Sequence, residues 1–200
     1  MYLVLAIVML INVMFPSYDK TKDNIIVPNY DWTEDDVMVL GDVGWSENGS
    51  TGLTEEDNIA AILLTMIVPL NRWYSGKWGN SLREVIWAKN QYAQSTKDAI
   101  GKIDTPEWVY ELARELLTYG SNVPDYVVYQ SMQPNLGTVW KTIENGRKDE
   151  YFATNGGHKN EGQDWVIKTN KELYFQQCRE RLMNKIREFL EMDKILEIMG

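Results

Sequence analysis

The chain of 200 residues has one cysteine, Cys178, and one histidine, His158. A single cysteine leaves no intramolecular disulfide and leaves the redox compartment open. A catalytic zinc normally takes two or three His or Cys ligands beside its open position, so zinc peptidase and zinc amidase chemistry is disfavoured. Cys178 and His158 make a nucleophile–base pair by count alone. Basic residues are also scarce: 20 Lys and Arg stand against 29 Asp and Glu, a net charge of −9. That balance disfavours nucleic acid, whose phosphates need clustered cations, and a polybasic membrane-surface protein. There is no internal repeat and no low-complexity tract. Aromatics, by contrast, are plentiful, with eight Trp and eleven Tyr. They serve either an aromatic core or an aromatic-lined groove for sugars.

The pattern divides the chain into four stretches. Residues 1–15 are nearly all apolar. They are short of the roughly 20 residues of a spanning helix but long enough for an export signal or short anchor, although a basic n-region and a small-x-small cleavage site are missing. Residues 16–32 are polar with two prolines and read as a linker or surface arm. Residues 33–165 carry the motifs of a folded domain. Residues 166–200 are dominated by a long amphipathic helix, capped by Thr169 or Asn170, with Phe175, Cys178, Leu182, Ile186 and Phe189 recurring at steps of three and four. That stripe packs on its own domain or on a second copy, and it makes Cys178 a small buried hydrophobe rather than a nucleophile.

Within the domain, Thr33 caps a helix with Glu34, Asp35 and Asp36 in its first turn. It runs to about Glu47, and Asn48-Gly49 is the stop. Glu47 therefore sits at a helix C-terminus, where the macrodipole opposes its ionisation. Thr54 is expected to cap a second helix after a Gly-containing loop. Ile59–Val68 is apolar on nearly every face, so this helix is central, and Pro69 is expected to end or kink it. Ser81-Leu82-Arg83-Glu84 is a capping-box pattern for a helix to about Trp87, and 88–100 reads as loop. Thr105-Pro106-Glu107 opens another helix with Thr105 as cap, Val109, Leu112, Ala113, Leu116 and Leu117 as its stripe and Gly120 as its stop. Tyr126–Tyr129 reads as a short strand, 130–137 as loop, and Thr138–Ile143 as a further short element. Tyr151-Phe152 leads into the Gly-rich segment that holds His158.

Several of these features, in this order, resemble the SleB-type cell wall hydrolases, the spore-cortex-lytic group and its phage and clostridial relatives. The features are Trp45-Ser46-Glu47 before Gly49, an apolar helix running into Leu70-Asn71-Arg72, Gln91-Tyr92 after a helix, Pro124-Asp125 after a helix and Gly120, and Gly156-Gly157-His158. They cover about residues 37–158. One residue, Asn48, separates Glu47 from the glycine, where the family has two. The resemblance implies an α+β, mainly helical, lysozyme-like domain that cuts the glycan strand of peptidoglycan as a muramidase or lytic transglycosylase. It implies a single carboxylic acid at the position of Glu47 and no cofactor or metal, with Asp42 as the alternative acid. Trp45, Asn71, Gln91, Tyr92, Tyr129 and Gln130 are then the expected substrate-binding residues, each with a structural role as its bland alternative. The expected partners are peptidoglycan strands, the membrane through 1–15, and a second copy through the final helix. The expected location is secreted or membrane-associated at a bacterial envelope, or phage-encoded and acting on the wall. A degenerate relative that binds glycan or serves structurally is the alternative from another class.

Overall fold

The structure is a computed structural model and describes residues 31–49, 55–144 and 149–199, the last without the side chains of 181 and 189–199. The apolar N-terminal stretch, the linker to Tyr30 and the Thr54 cap lie outside the described residues. The chain divides into two compact units. One spans Ile25–Asn170. It holds helices α1 (Glu34–Asn48), α2 (Glu55–Tyr74), α3 (Leu82–Trp87), α4 (Gln94–Ala99) and α5 (Glu107–Tyr119), with strands β1 (Val127–Ser131), β2 (Thr138–Ile143) and β3 (Glu150–Thr154). The class is α+β: a helical body with a small antiparallel sheet. The other unit contains Lys171–Gly200, described as helix α6 (Lys171–Met199). On α6, Phe175 and Ile186 are exposed and Cys178 and Leu182 half-buried. No helix among the described residues is long and apolar enough to cross a membrane.

Helix α1 begins as its sequence dictates. The Asp36 amide donates to Thr33 Oγ1, and the Thr33 amide donates back to Asp36 Oδ2, so two amides that the first turn leaves free are satisfied reciprocally. Val37, Val39, Leu40 and Val43 are buried. Gly41 and Gly44 weaken the helix but let neighbours close in. A Cβ on Gly44 would lie 2.8 Å from Met66 of α2, and one on Gly41 would lie 2.6 Å from the Tyr110 ring of α5.

In α2 every residue from 61 to 73 is buried, as expected of a helix that is apolar all round. Pro69 does not end it. The missing amide and the ring's clash with the preceding turn cost about 3 kcal/mol in a helix interior, and burial on every side outweighs that. The turn beyond Pro69 is also tied down, because Asn71 Nδ2 donates to the carbonyls of Pro124 and Val127, and Arg72 Nε donates to that of Val128. Leu70-Asn71-Arg72 is thus the last part of a helix that rests on β1.

Two further expectations need correction. Residues 88–100 contain α4, whose first residue follows Ala93 with no side-chain cap, so the usual start signal is missing from its sequence. Thr105 does not cap α5. Pro106 occupies the cap position, and the Thr105 hydroxyl donates instead to Asp42. At the other end Gly120 stops α5 with a φ of 74°, a conformation that favours glycine.

The sheet order is β1-β3-β2. The central strand, β3, pairs Tyr151 with both Ser131 and Thr142, and Glu150 with Ile143. The segment around Tyr151-Phe152 is therefore the spine of the sheet. Strand β1 also runs on through Gln130 and Ser131, where a loop was expected. Trp140 is fully buried, and its ring lies where a Cβ on Gly162 would stand. Residues 166–170 return to the end of α5: Lys168 N donates to Asn122 Oδ1, Asn170 N to the Gly120 carbonyl, and Thr169 bridges Ser121.

Candidate functional site

Between the end of α1, the middle of α2, the segment 91–93 and the edge formed by β1 and β3 lies a cleft of about 180 Å³. That is smaller than the roughly 300–1,000 Å³ of a drug-sized pocket and suits one ring-sized polar group. Its lining includes Glu47, Arg72, Gln91, Tyr92, Gln130 and Glu150, with Val68 and Met132 as apolar wall.

Glu47 is half-buried in the last turn of α1, and Thr96 Oγ1 of α4 donates to its Oε1 at 2.5 Å. The next residue, Asn48, is buried, and its Nδ2 donates to Thr65 Oγ1 of α2 at 2.6 Å. The single residue between Glu47 and Gly49 is thus a polar anchor between two helices. Glu150, at the start of β3, is 3% exposed. Burial pushes its carboxyl up to about 7; the amide of Asn48 acts against that, the charge of Glu47 adds to it, and the amide of Gln130 acts against it. Its Oε2 has no hydrogen-bond partner, nor have the buried oxygens Asn48 Oδ1, Gln130 Oε1 and the Tyr92 hydroxyl. Buried polar atoms are nearly always paired, so this concentration at one cleft is informative. A protonated Glu150 is itself a donor of the kind that the two amide oxygens lack.

Arg72 is 6% exposed. Its Nη1 donates to Gln91 Oε1 at 2.6 Å, and its guanidinium lies 5.0 Å from the Trp78 ring centroid and 5.9 Å from that of Tyr129. Burial lowers its pKa while the neighbouring Tyr92 and Tyr129 raise it; a guanidinium in this setting stays charged. Tyr92 is pushed up chiefly by burial, with Arg72 opposing and Glu47 adding to the shift.

Of the residues expected at the site, Glu47, Gln91, Tyr92 and Gln130 come together here. The other four serve elsewhere. Asp42 is fully buried and accepts from Gly101 N, Thr105 Oγ1 and the Tyr110 hydroxyl at 2.6–2.7 Å. Its place is in the packing of α1 on α5. Asn71 spends its amide on the two carbonyls before and in β1. Trp45 packs edge-to-face on Trp108, centroids 6.0 Å apart. The Tyr129 hydroxyl donates to Asn155 Oδ1, and its ring lies beneath Arg72 rather than on the cleft wall. His158 stacks on Tyr126, centroids 3.8 Å apart, with Nδ1 on Glu161, while Cys178 belongs to the other unit.

Sequence reasoning missed Glu150, Thr96 and the role of Arg72. The alternation Glu150, Phe152, Thr154 along one strand face was the available signal for the first. An Arg at the end of an otherwise apolar helix was the signal for the third. Thr96 carried none. Among the described residues no three His, Cys, Asp or Glu side chains gather as a metal site. Comparison of the chain with family models, with curated proteins and with solved structures finds no match.

Proposed function

We propose that this cleft cleaves the glycan strand of peptidoglycan by general acid–base catalysis with Glu47 and Glu150. The observation that carries the reading is the pairing, in one cleft, of two carboxyl groups in different environments. Glu150 is dry and keeps its proton to near neutrality. Glu47 is half-exposed and takes a hydrogen bond from Thr96. Two carboxyls in unlike environments at one cleft, one of them kept protonated by burial, are the pairing that glycoside cleavage uses. The order of motifs that resembles the SleB-type hydrolases supplies the polymer. A lysozyme-like descent of the helical body belongs to the same proposal.

In the reaction the bond from the anomeric carbon to the bridging oxygen breaks, and the proton of Glu150 goes to the departing oxygen. Positive charge develops at the anomeric carbon next to the Glu47 carboxylate. Water then adds and gives its proton to a carboxylate of the pair, or the sugar's own 6-hydroxyl adds and gives up its proton in the same way, leaving a 1,6-anhydro end. Gln91, Gln130 and Tyr92 line the same space and offer the donors and acceptors that hydroxyl and acetamido groups require.

The test is mass spectrometry of purified peptidoglycan digested by the parent, by Glu47→Gln and by Glu150→Gln. The parent is expected to release muropeptides with reducing or anhydro ends, and each variant to lose at least about a hundredfold in rate. Wall binding with no release of fragments by the parent sinks the proposal in favour of a glycan-binding relative. The motif order itself favours a second reading, with Glu47 as sole acid. Under that reading Glu150→Gln keeps the parent rate to within a few fold.

A further inference from the structure

We infer that the Arg72 end of the cleft binds a carboxylate carried by the saccharide, so that the preferred substrate is an acidic rather than a neutral glycan; this rests on the glycan-cleaving reading above. A guanidinium is a costly group to bury unless it is paired. Arg72 is nonetheless almost fully buried and lines the cleft, and among the described residues no carboxylate lies within ion-pair distance of it. Its contacts leave donors over. Nε is used by the Val128 carbonyl and one Nη1 hydrogen by Gln91, while no acceptor among the described residues takes Nη2. The planar face is backed by Trp78 and Tyr129, and Gln91 Oε1 fixes one edge. This is a guanidinium held in a set orientation with part of its fork free, the arrangement that recognises a carboxylate through two parallel hydrogen bonds.

Arg72, Glu47 and Glu150 all line the same cleft, and among the described residues no ion pair joins Arg72 to either carboxyl. An anionic group set at Arg72 leaves the neutral glycosidic bond of the same ligand to Glu47 and Glu150. A neutral chitin-type chain would leave the guanidinium unanswered. A muramyl unit with a free lactyl carboxylate answers it directly, and a stem-peptide carboxylate attached to that unit is the other source of the same chemistry.

The experiment measures equilibrium binding to Glu47→Gln protein, which keeps Arg72. The ligands are a peptide-free peptidoglycan tetrasaccharide with free lactyl carboxylates, the same tetrasaccharide after reduction of those carboxylates to alcohols, one carrying intact stem peptides, and chitotetraose. At least about tenfold tighter binding of the free-carboxylate form than of its reduced form is expected, and that ratio should collapse in the Glu47→Gln/Arg72→Gln double variant. Preference for the stem-peptide form over both peptide-free forms assigns the carboxylate to the peptide. Equal affinity for the acidic, peptide-bearing and reduced forms, or no binding by any of them, overturns the inference. Because Arg72 also holds Val128, the double variant can fail to fold; the ligand series on Glu47→Gln protein then decides alone. Cleavage by the parent keeps the two proposals apart: equal rates on carboxyl-reduced and unreduced strands leave glycan cleavage standing while removing the carboxylate subsite.

Discussion

Helix α1 carries a buried acid on one side and borders a second on the other, and the two are treated oppositely. Asp42 receives three donors, from the turn at Gly101, from Thr105 and from Tyr110. Around Glu150 the buried oxygens of Asn48, Gln130, Tyr92 and Glu150 itself lack partners. Both carboxyls are buried, but Asp42 is fully supplied with donors while Glu150 lines the cleft with its Oε2 unpartnered. A fully supplied polar group rigidifies a fold. Groups left wanting at an open cleft are kept for a ligand or for the proton of a neighbour. Under the proposed function the contrast favours Glu150, which the sequence did not offer, over Asp42 as the partner of Glu47.

The sharpest way to break this contrast is to neutralise each acid without changing its shape. Glu47→Gln or Glu150→Gln is expected to lower wall lysis by roughly two to four orders of magnitude, whereas Asp42→Asn keeps lysis per folded molecule within a few fold. Lysis lost with Asp42→Asn and kept with both Gln variants would reverse the roles. Next in size is stability. Asp42→Ala strands three donors in the packing of α1 on α5 and should cost about 3–5 kcal/mol, read as a fall of many degrees in thermal midpoint.

The pH dependence comes third. The folded Glu150 carboxyl is raised from its ordinary 4.5 to about 7, so the folded state holds a proton that the unfolded state has released. Stability from this group is complete below about pH 4.5 and is lost as pH rises through 7, at up to roughly 1.4 kcal/mol per pH unit in between. Glu150→Gln should flatten that part of the stability curve and make the variant more stable than the parent at pH 8; denaturant unfolding at pH 5 and pH 8 measures it. A variant curve parallel to that of the parent removes the claim. The smallest effect is expected from Thr96→Val, which deletes the hydroxyl on Glu47 and leaves the apolar bulk. Activity should fall about three- to tenfold with less than about 1.5 kcal/mol lost in stability, measured as the rate of wall lysis and by denaturant unfolding.

Much of the helical body was legible beforehand. The Thr33 cap, the all-round apolar run of α2, the Ser81 cap, the α5 stripe and its Gly120 stop are local signals that sit where their chemistry places them, although the Glu84 carboxylate accepts from the Asn80 amide rather than closing a box on Ser81. The errors fall where a side chain had two uses. Thr105 precedes Pro106-Glu107 and looks like a cap, but a buried aspartate sixty-three residues away claims its hydroxyl. Pro69, expected to end or kink its helix, does not end it, and the turn after it is bonded to β1. Glu47, Gln91 and Tyr92 were within reach because motif order marked them, and Gln130 because its amide suits sugar hydroxyls. Glu150 was missed because its signal, the alternation Glu150, Phe152, Thr154, shows only once the segment is recognised as a strand.

What the sequence alone determined, then, is most of the helices with the Thr33 cap and the Gly120 stop, the absence of an intramolecular disulfide, and the position of Glu47 at a helix end. These depend on neighbours within about four residues, whose spacing is written in the chain. Only the tertiary structure decided which polar groups are supplied and which are left wanting. Satisfaction of a buried group depends on donors brought from distant segments: Thr96 to Glu47, Gly101, Thr105 and Tyr110 to Asp42, and nothing to Glu150 Oε2. Residue type sets how many hydrogen bonds a side chain can make, and packing sets how many it is given.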